Sequence, residues 1–180
     1  MINIKDFSNQ QVIVDATQQL QLSKNGDSLE FFVFNNPGGN TNLLNHFQHH
    51  LDLALQRGVD VSFTFHGDIA SCAATLLADV TIDVQTYHNL TFQFVYPVRL
   101  VFHKPRLIIN DTKFPPLQAI DYNSYVQGIN DDDIHFKASL DAFMLWYETN
   151  YNAKLNKVAR NHLYDTNQDV QFLLNEASDD

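Results

Sequence analysis

The chain has 180 residues, of which 44% are hydrophobic and 18% are charged, a composition that excludes a disordered segment and fits one globular domain. The formal charge of −10, from 11 basic and 21 acidic residues, argues against binding to a nucleic-acid backbone. The single cysteine excludes an internal disulfide, and we find no apolar run of the length of a signal peptide or a membrane span. We therefore expect one domain over residues 1–180, in the cytoplasm, with no membrane or nucleic-acid partner.

The first half of the chain alternates predicted helices and strands. Apolar residues recur at helical spacing from Gln10 to Gln21, and Leu29 to Phe34 has the composition of a buried strand. A second helix follows, with Thr41 as its predicted cap, and Val59 to Phe65 alternates like a second strand. Ser71 to Ala78 is predicted to form a third helix. This order favours an α/β fold with a parallel sheet.

The second half of the chain gives a less regular pattern. Thr81 to Val84, Leu90 to Val95 and Arg99 to His103 have strand-like composition. An apolar stripe from Leu140 to Tyr151 predicts a long helix. The pattern of Val170 to Leu174 fits either a strand or a helix.

Two predicted strand ends carry residues that suit a catalytic loop. Gly38 and Gly39 follow the first strand, and Gly67 precedes Ser71 at the start of a helix. In α/β sheets, ligands bind at the carboxyl ends of the strands. A glycine turn presents backbone N–H groups and a serine presents a hydroxyl, so together they can form an oxyanion hole beside a nucleophile. The alternatives are a plain turn at the glycines and a helix cap at Ser71.

Three segments, in this order, resemble the proteolytic subunit of the Clp protease (ClpP), a family of ring-forming cytoplasmic serine peptidases. They are "FFVFNNPGGN" (31–40), "VDVSFTFHGDIASCAATLLA" (59–78) and "PVRLVFHKP" (97–105). The resemblance covers residues 11–105, and more loosely the helices between 140 and 167. It implies a ClpP/crotonase-like α/β fold, with repeated β-β-α units in a superhelix, a parallel sheet and a long C-terminal helix.

The resemblance also implies a serine endopeptidase that uses no cofactor. Ser71 would be the nucleophile and His103 the general base, with Asn161 in the place of the family's acid. The oxyanion would be bound by backbone N–H groups, those of Gly39 or Gly38 and of Cys72. Such a protein would form a homo-oligomeric ring and take peptides or unfolded proteins as substrates.

Three features depart from the family pattern. Asn161 stands where the family has an aspartate; its carbonyl can accept the imidazole N–H but carries no charge, and Asp165 is the alternative. Only 36 residues precede the Pro-Gly-Gly turn, which is shorter than the family's amino-terminal segment and argues against an AAA+ unfoldase as partner. After Pro105 the chain has two prolines where the family has a glycine-rich strand, so we expect altered peptide capture.

Other interpretations stay open. Asn161 and the short amino-terminal segment favour a catalytically impaired or inactive ClpP-like oligomer with a structural or binding role. An acyl-CoA enzyme of the crotonase group would share the fold, but it needs no serine–histidine pair. A nucleophilic Cys72 would need a low-pKa site. The second helix carries three histidines that could bind a metal, His46, His49 and His50. The polar side of an amphipathic helix explains them as well, and we predict no metal site there.

Overall fold

The main sheet of the computed structural model has five strands in the order β1 (Ile2–Ile4), β2 (Ser28–Asn36), β3 (Asp60–Ala70), β4 (Leu90–Phe102) and β7 (Val170–Leu174). Each neighbouring pair from β1 to β4 is parallel. Three helices connect these four strands along the chain: α1 (Gln10–Leu22), α2 (Thr41–Gln56) and α3 (Cys72–Asp83). The predicted α/β class and parallel sheet are therefore confirmed.

The structure describes residues 1–104, 107–109, 112–114, 123–151 and 169–175. The chain divides into two compact units, Met1–Val101 with Gln171–Asp180, and Phe102–Val170. The first unit holds nearly all of the main sheet and its three helices. No helix among the described residues is long and apolar enough to cross a membrane.

The three helices form one layer on one face of the sheet. Strands joined in sequential order by right-handed crossovers place every connecting helix on the same side, and α2 contacts both α1 and α3. The ring of Phe47 on α2 lies 5.4 Å from Phe31 and 6.4 Å from Phe63, centroid to centroid. All three side chains are at most 1% exposed, and burying one such ring stabilises the fold by about 1.5 to 3 kcal/mol.

The opposite face of the sheet is only half-buried. Phe32, Phe34 and His66 lie on it as a stack, with ring centroids 6.0 Å and 5.2 Å apart. These residues alternate along their strands with the buried phenylalanines, as the two-residue period of a strand requires. The sheet therefore has one dry face and one face of intermediate exposure.

Helix capping differs by one residue from the prediction. The cap of α2 is Asn40, whose side chain accepts a hydrogen bond from the Asn42 N–H at 2.9 Å. Thr41 is the first helical residue. Asparagine and threonine both accept from the first turn, and the sequence alone did not separate the adjacent candidates.

Three of the predicted strands are wrong in extent or type. Thr81 to Val84 is the end of α3 and its cap rather than a strand. Leu90 to Val95 and Arg99 to His103 belong to one strand, β4, which ends at Phe102 and continues through Pro97. Val170 to Leu174, left open by its pattern, is the strand β7.

The part of the second unit that the structure describes contains a long helix and a short strand pair. The helix α4 (Asn123–Asn150) includes most of the predicted apolar stripe. The strands β5 (Leu107–Ile109) and β6 (Thr112–Phe114) pair antiparallel. Phe102 packs its ring 5.3 Å from that of Phe143 and 6.4 Å from that of Phe136, and all three are buried.

Candidate functional site

Two loops meet at the carboxyl ends of β2 and β3. One is the glycine turn of Gly38 and Gly39, and the other is the junction at Ser71 between β3 and α3. A Cβ added to Gly38 would lie 2.3 Å from the Ser71 Cβ and 2.9 Å from the Cys72 nitrogen. Since no other residue fits in that space, the bare backbone of Gly38 is in direct contact with Ser71.

Ser71 has a strained backbone conformation, with φ 54° and ψ −125°. Residues that carry a Cβ rarely adopt a positive φ, and such strain costs about 1 to 3 kcal/mol. Two backbone hydrogen bonds hold it in place: the Ser71 N–H donates to the Val101 carbonyl at 2.9 Å, and the Thr75 N–H donates to the Ser71 carbonyl at 3.0 Å. The chain therefore turns from strand to helix within one residue.

The Ser71 hydroxyl is not used to cap the helix. Ser71 occupies the cap position of α3, but its side chain makes no capping hydrogen bond. A serine cap is ordinarily worth about 1 kcal/mol, so the strained backbone forgoes that stabilisation. The hydroxyl has no hydrogen-bond partner among the described residues, and Ser71 is half-buried. Ser71 is therefore the cap residue of α3 by position, as the alternative interpretation had it, but its hydroxyl makes no capping bond.

The two glycines differ in how their N–H groups are used. The Gly38 N–H donates to Asn36 Oδ1 at 2.8 Å. The Gly39 N–H has no acceptor within the described part of the chain, and Gly39 is exposed. Of the two, Gly39 is thus the residue whose backbone donor can meet a ligand.

Cys72 joins the two loops through its side chain. It is the first residue of α3 and is only 4% exposed. Its thiol donates to the Gly39 carbonyl oxygen, with the sulfur 3.3 Å from the oxygen. The free N–H groups in the first turn of a helix point out of its N-terminal end, where the helix dipole adds a partial positive charge. The start of α3 thus favours a negatively charged oxygen.

His103 belongs to the second unit, and its ring is oriented by a backbone group. Its Nδ1 lies 2.9 Å from the Lys104 carbonyl oxygen. Because a carbonyl oxygen can only accept, Nδ1 carries the proton, and in the neutral ring the lone pair is on Nε2. The predicted Asn161 and its alternative Asp165 lie outside the described residues. The structure thus brings together four of the six predicted site residues, in the first unit: Gly38, Gly39, Ser71 and Cys72.

The three histidines of α2 lie close together on its surface. The ring of His50 is 4.7 Å from that of His46 and 5.2 Å from that of His49. Burial, followed by these two rings and by Arg57, lowers the pKa of His50. Among the residues that the structure describes, no three side chains of ligating type are arranged to hold a metal ion.

Two asparagines with no predicted role support the loops. Asn35 has a φ of 44°, and its Oδ1 accepts from the Asp68 N–H at 2.9 Å. Asn36 is fully buried, and its side chain bonds both Gly38 and the Ile4 carbonyl. An asparagine two residues before an N–H that it binds is an Asx-turn. Its position before Pro-Gly was the one signal in the sequence that could have indicated this role.

Comparison of the sequence with models of known protein families gives no match, and no curated protein matches it. The geometry of the two loops is therefore the basis for a functional proposal.

Proposed function

We propose that this chain is a serine hydrolase with a ClpP/crotonase-like fold, in which Ser71 is the nucleophile. The observation that carries the proposal is the backbone of Ser71, with its φ of 54° between a strand and a helix. A sharp, strained strand-to-helix turn is how a nucleophile elbow exposes a serine hydroxyl. Strain of about 1 to 3 kcal/mol is retained mainly where function uses it. The hydroxyl's lack of a capping role supports the same assignment.

The first step is acyl transfer to Ser71. Its Oγ forms a bond to the carbonyl carbon of a peptide while its proton passes to Nε2 of His103. The electron pair of the carbonyl double bond moves to the oxygen, where the N–H groups of Gly39 and Cys72 stabilise the negative charge. The C–N bond then breaks, and the proton on His103 passes to the departing amine. The product of this step is an ester on Ser71.

The second step is hydrolysis of that ester. Water takes the place of Ser71 as the attacking group and gives its proton to His103. When the tetrahedral intermediate collapses, the C–O bond to Ser71 breaks and the proton returns to Ser71 Oγ. The cycle releases a carboxylic acid and regenerates the enzyme.

The Lys104 carbonyl supports the assignment of His103 as the general base. By accepting from Nδ1 it fixes the tautomer in which the lone pair is on Nε2. An uncharged acceptor orients the ring but stabilises the imidazolium less than a carboxylate does. Asn161, proposed for the place of the acid, would be an equally uncharged acceptor, and it would take the place of the Lys104 carbonyl at the one Nδ1 proton. We therefore expect slow turnover.

The proposal extends to the substrate and the assembly. Peptides or unfolded proteins would be the substrates, and the chain would assemble as a homo-oligomeric ring without an AAA+ unfoldase. Leu145 of α4 is 67% exposed within the apolar stripe of that helix. This stripe is the candidate contact between copies. Light scattering tests the assembly, and a monomer of 20.6 kDa would contradict it.

A fluorophosphonate probe tests the nucleophile directly. We expect mass spectrometry to find one covalent adduct on Ser71, absent from Ser71→Ala and retained in Ser62→Ala, a serine variant within β3. His103→Ala should slow labelling by about 100-fold or more, because general-base catalysis contributes about 10² to 10⁴.

Two results of that experiment would change the conclusion. A folded wild-type chain with no adduct on Ser71 would contradict the hydrolase and leave a non-catalytic oligomer. If labelling occurs only after Asn161→Asp, the chain has the site of a hydrolase in an impaired form.

A further inference from the structure

Asn36 links three segments around the glycine turn. It is the last residue of β2 and is 0% exposed. Its Nδ2 donates to the Ile4 carbonyl at 3.0 Å, and its Oδ1 accepts from the Gly38 N–H at 2.8 Å. One buried amide thus satisfies the carbonyl at the end of β1 and the N–H at the start of the turn. A buried N–H or carbonyl left without a partner costs about 1 to 3 kcal/mol.

The peptide that joins Gly38 to Gly39 is held on its other side by Phe7. The Phe7 N–H donates to the Gly38 carbonyl at 2.8 Å, and the Phe7 carbonyl accepts from the Asn40 N–H at 3.2 Å. In a trans peptide the C=O and the following N–H point in opposite directions. With the Gly38 carbonyl bonded to Phe7, the Gly39 N–H therefore points to the side away from Phe7.

Close contacts remove the remaining freedom of the turn. A Cβ on Gly39 would lie 2.2 Å from the Ser8 nitrogen, and one on Gly38 would lie 2.3 Å from the Ser71 Cβ. The turn is therefore clamped between the Phe7–Ser8 backbone and Ser71. The Asn36 side chain ties the turn to the chain segment that leads to Phe7, since it bonds both the Ile4 carbonyl and the Gly38 N–H.

We infer that Asn36 is a positioning residue that fixes the Gly38–Gly39 peptide so that the Gly39 N–H faces the oxyanion. This inference rests on the proposed function. Asn36 does not touch the substrate in this role; it acts through the Gly38 N–H. Because a misplacement of about 1 Å can cost about 100-fold in rate, and loss of an oxyanion donor about 10² to 10³, Asn36 should affect the chemical step rather than substrate binding.

The experiment compares the rate of fluorophosphonate labelling in four forms of the full chain. They are the wild type, Asn36→Ala, Asn36→Ser and the control Asn89→Ala. Asn89 also donates twice to backbone carbonyls, those of Leu55 and Val59 at 3.0 and 2.7 Å, but it lies outside the site. Asn36→Ser keeps a side-chain oxygen that can accept from the Gly38 N–H in a serine turn, and it loses the link to Ile4.

We expect Asn36→Ala to lower the maximal labelling rate by about 10- to 100-fold with little change in the probe's half-saturating concentration. Asn36→Ser should recover part of that rate. Asn89→Ala should lower the thermal midpoint by a similar amount to Asn36→Ala while labelling at the wild-type rate.

The outcomes separate this inference from the proposed function. If the wild type labels and both Asn36 variants label like Asn89→Ala, Asn36 has only a structural role and the hydrolase stands. If the folded wild type is not labelled at Ser71, the hydrolase is contradicted, and the inference falls with it.

A measurement on the unsubstituted chain covers the case in which both Asn36 variants fail to fold. Amide NMR should find the Gly38 N–H protected from exchange and the Gly39 N–H exchanging fast. After phosphonylation of Ser71, the Gly39 resonance should move downfield as it bonds the phosphonyl oxygen. An unprotected Gly38 N–H, or an unmoved Gly39 resonance, would overturn the role of Asn36.

Discussion

At the scale of single residues, Gly38 is the position where the site depends most on a missing side chain. Its φ is +89°, and an added Cβ would meet Ser71, Ala70 and Cys72 at 2.3 to 2.9 Å. Gly26 has nearly the same φ, +85°, but nothing within 4 Å of an added Cβ. The pair therefore separates the cost of the backbone conformation from the cost of the contact.

We expect Gly26→Ala to lower the free energy of unfolding by about 1 to 2 kcal/mol, the penalty for a left-handed residue with a Cβ. Gly38→Ala should cost a further 1 to 3 kcal/mol or so, because overpacking forces neighbours to shift, and the neighbour here is Ser71. Urea unfolding measures both variants. Equal losses at the two positions would contradict the close contact between Gly38 and Ser71.

The sequence located the loops of the site but not the conformations within them. Gly38, Gly39 and Ser71 were predicted to lie together because parallel strands bring their carboxyl ends to one edge of a sheet. Cys72 was expected beside them only from the family resemblance, and the structure places all four together. The positive φ of Ser71 and the two hydrogen bonds of Asn36 were not predicted. The Ser71 conformation is held by the distant Val101 carbonyl, and one of the two Asn36 bonds reaches the distant Ile4 carbonyl; local propensity contains neither.

At the scale of secondary structure elements, regular hydrophobic patterns predicted helices and strands correctly, whereas β-branched residues led to one wrong strand prediction. The helices α1 and α2 and the strands β2 and β3 have clear periodicities, and each lies within a few residues of its predicted range. Thr81 and Ile82 favour strands by propensity, but they continue the buried helix α3. The Thr81 hydroxyl donates to the Ala78 carbonyl at 2.6 Å within the helix, so the buried polar group is satisfied there.

The histidine cluster of α2 predicts a pH dependence of stability. His50 accepts or donates a bond with the Gln21 side chain and faces His46, His49 and Arg57. Burial first, and then these charges, lower the pKa of His50 from its ordinary value of 6.5. Between the folded pKa and 6.5 the unfolded chain binds a proton that the folded chain does not. Stability therefore falls as the pH is lowered through this window.

We expect His50→Gln to lose less stability than the wild type between about pH 7.5 and about pH 5.5, because glutamine does not titrate. The difference should be on the order of a few tenths of a kcal/mol, since water screens exposed charges. Urea midpoints across the pH range measure it, and His88→Gln, an exposed histidine in the turn after α3, is the matched control. If both variants follow the wild-type curve, the cluster does not lower the proton affinity of His50.

At the scale of the whole molecule, the two faces of the main sheet contribute unequally to the stability of the fold. Parallel sheets are usually covered on both faces. Here the three helices of the first unit pack on the face of Phe63, whose ring lies 5.2 Å from Phe31 and 5.9 Å from Phe65. Phe32 and Phe34 on the other face are half-buried. The stability of the fold should therefore depend mainly on the phenylalanines beneath the helices.

Replacing one phenylalanine on each face measures this difference. Phe63→Ala removes a fully buried ring and should lower the free energy of unfolding by about 3 to 5 kcal/mol, through lost burial and the cavity left behind. Phe32→Ala should cost about 1 to 2 kcal/mol, because its ring is partly in water already and leaves no closed cavity. Urea unfolding, analysed with one shared slope of the unfolding free energy against urea concentration, gives both values. A loss at Phe32 as large as that at Phe63 would mean that another layer, such as a second copy of the chain, covers the half-buried face in solution. Repeating the measurement at several protein concentrations would then identify that layer as an oligomer contact.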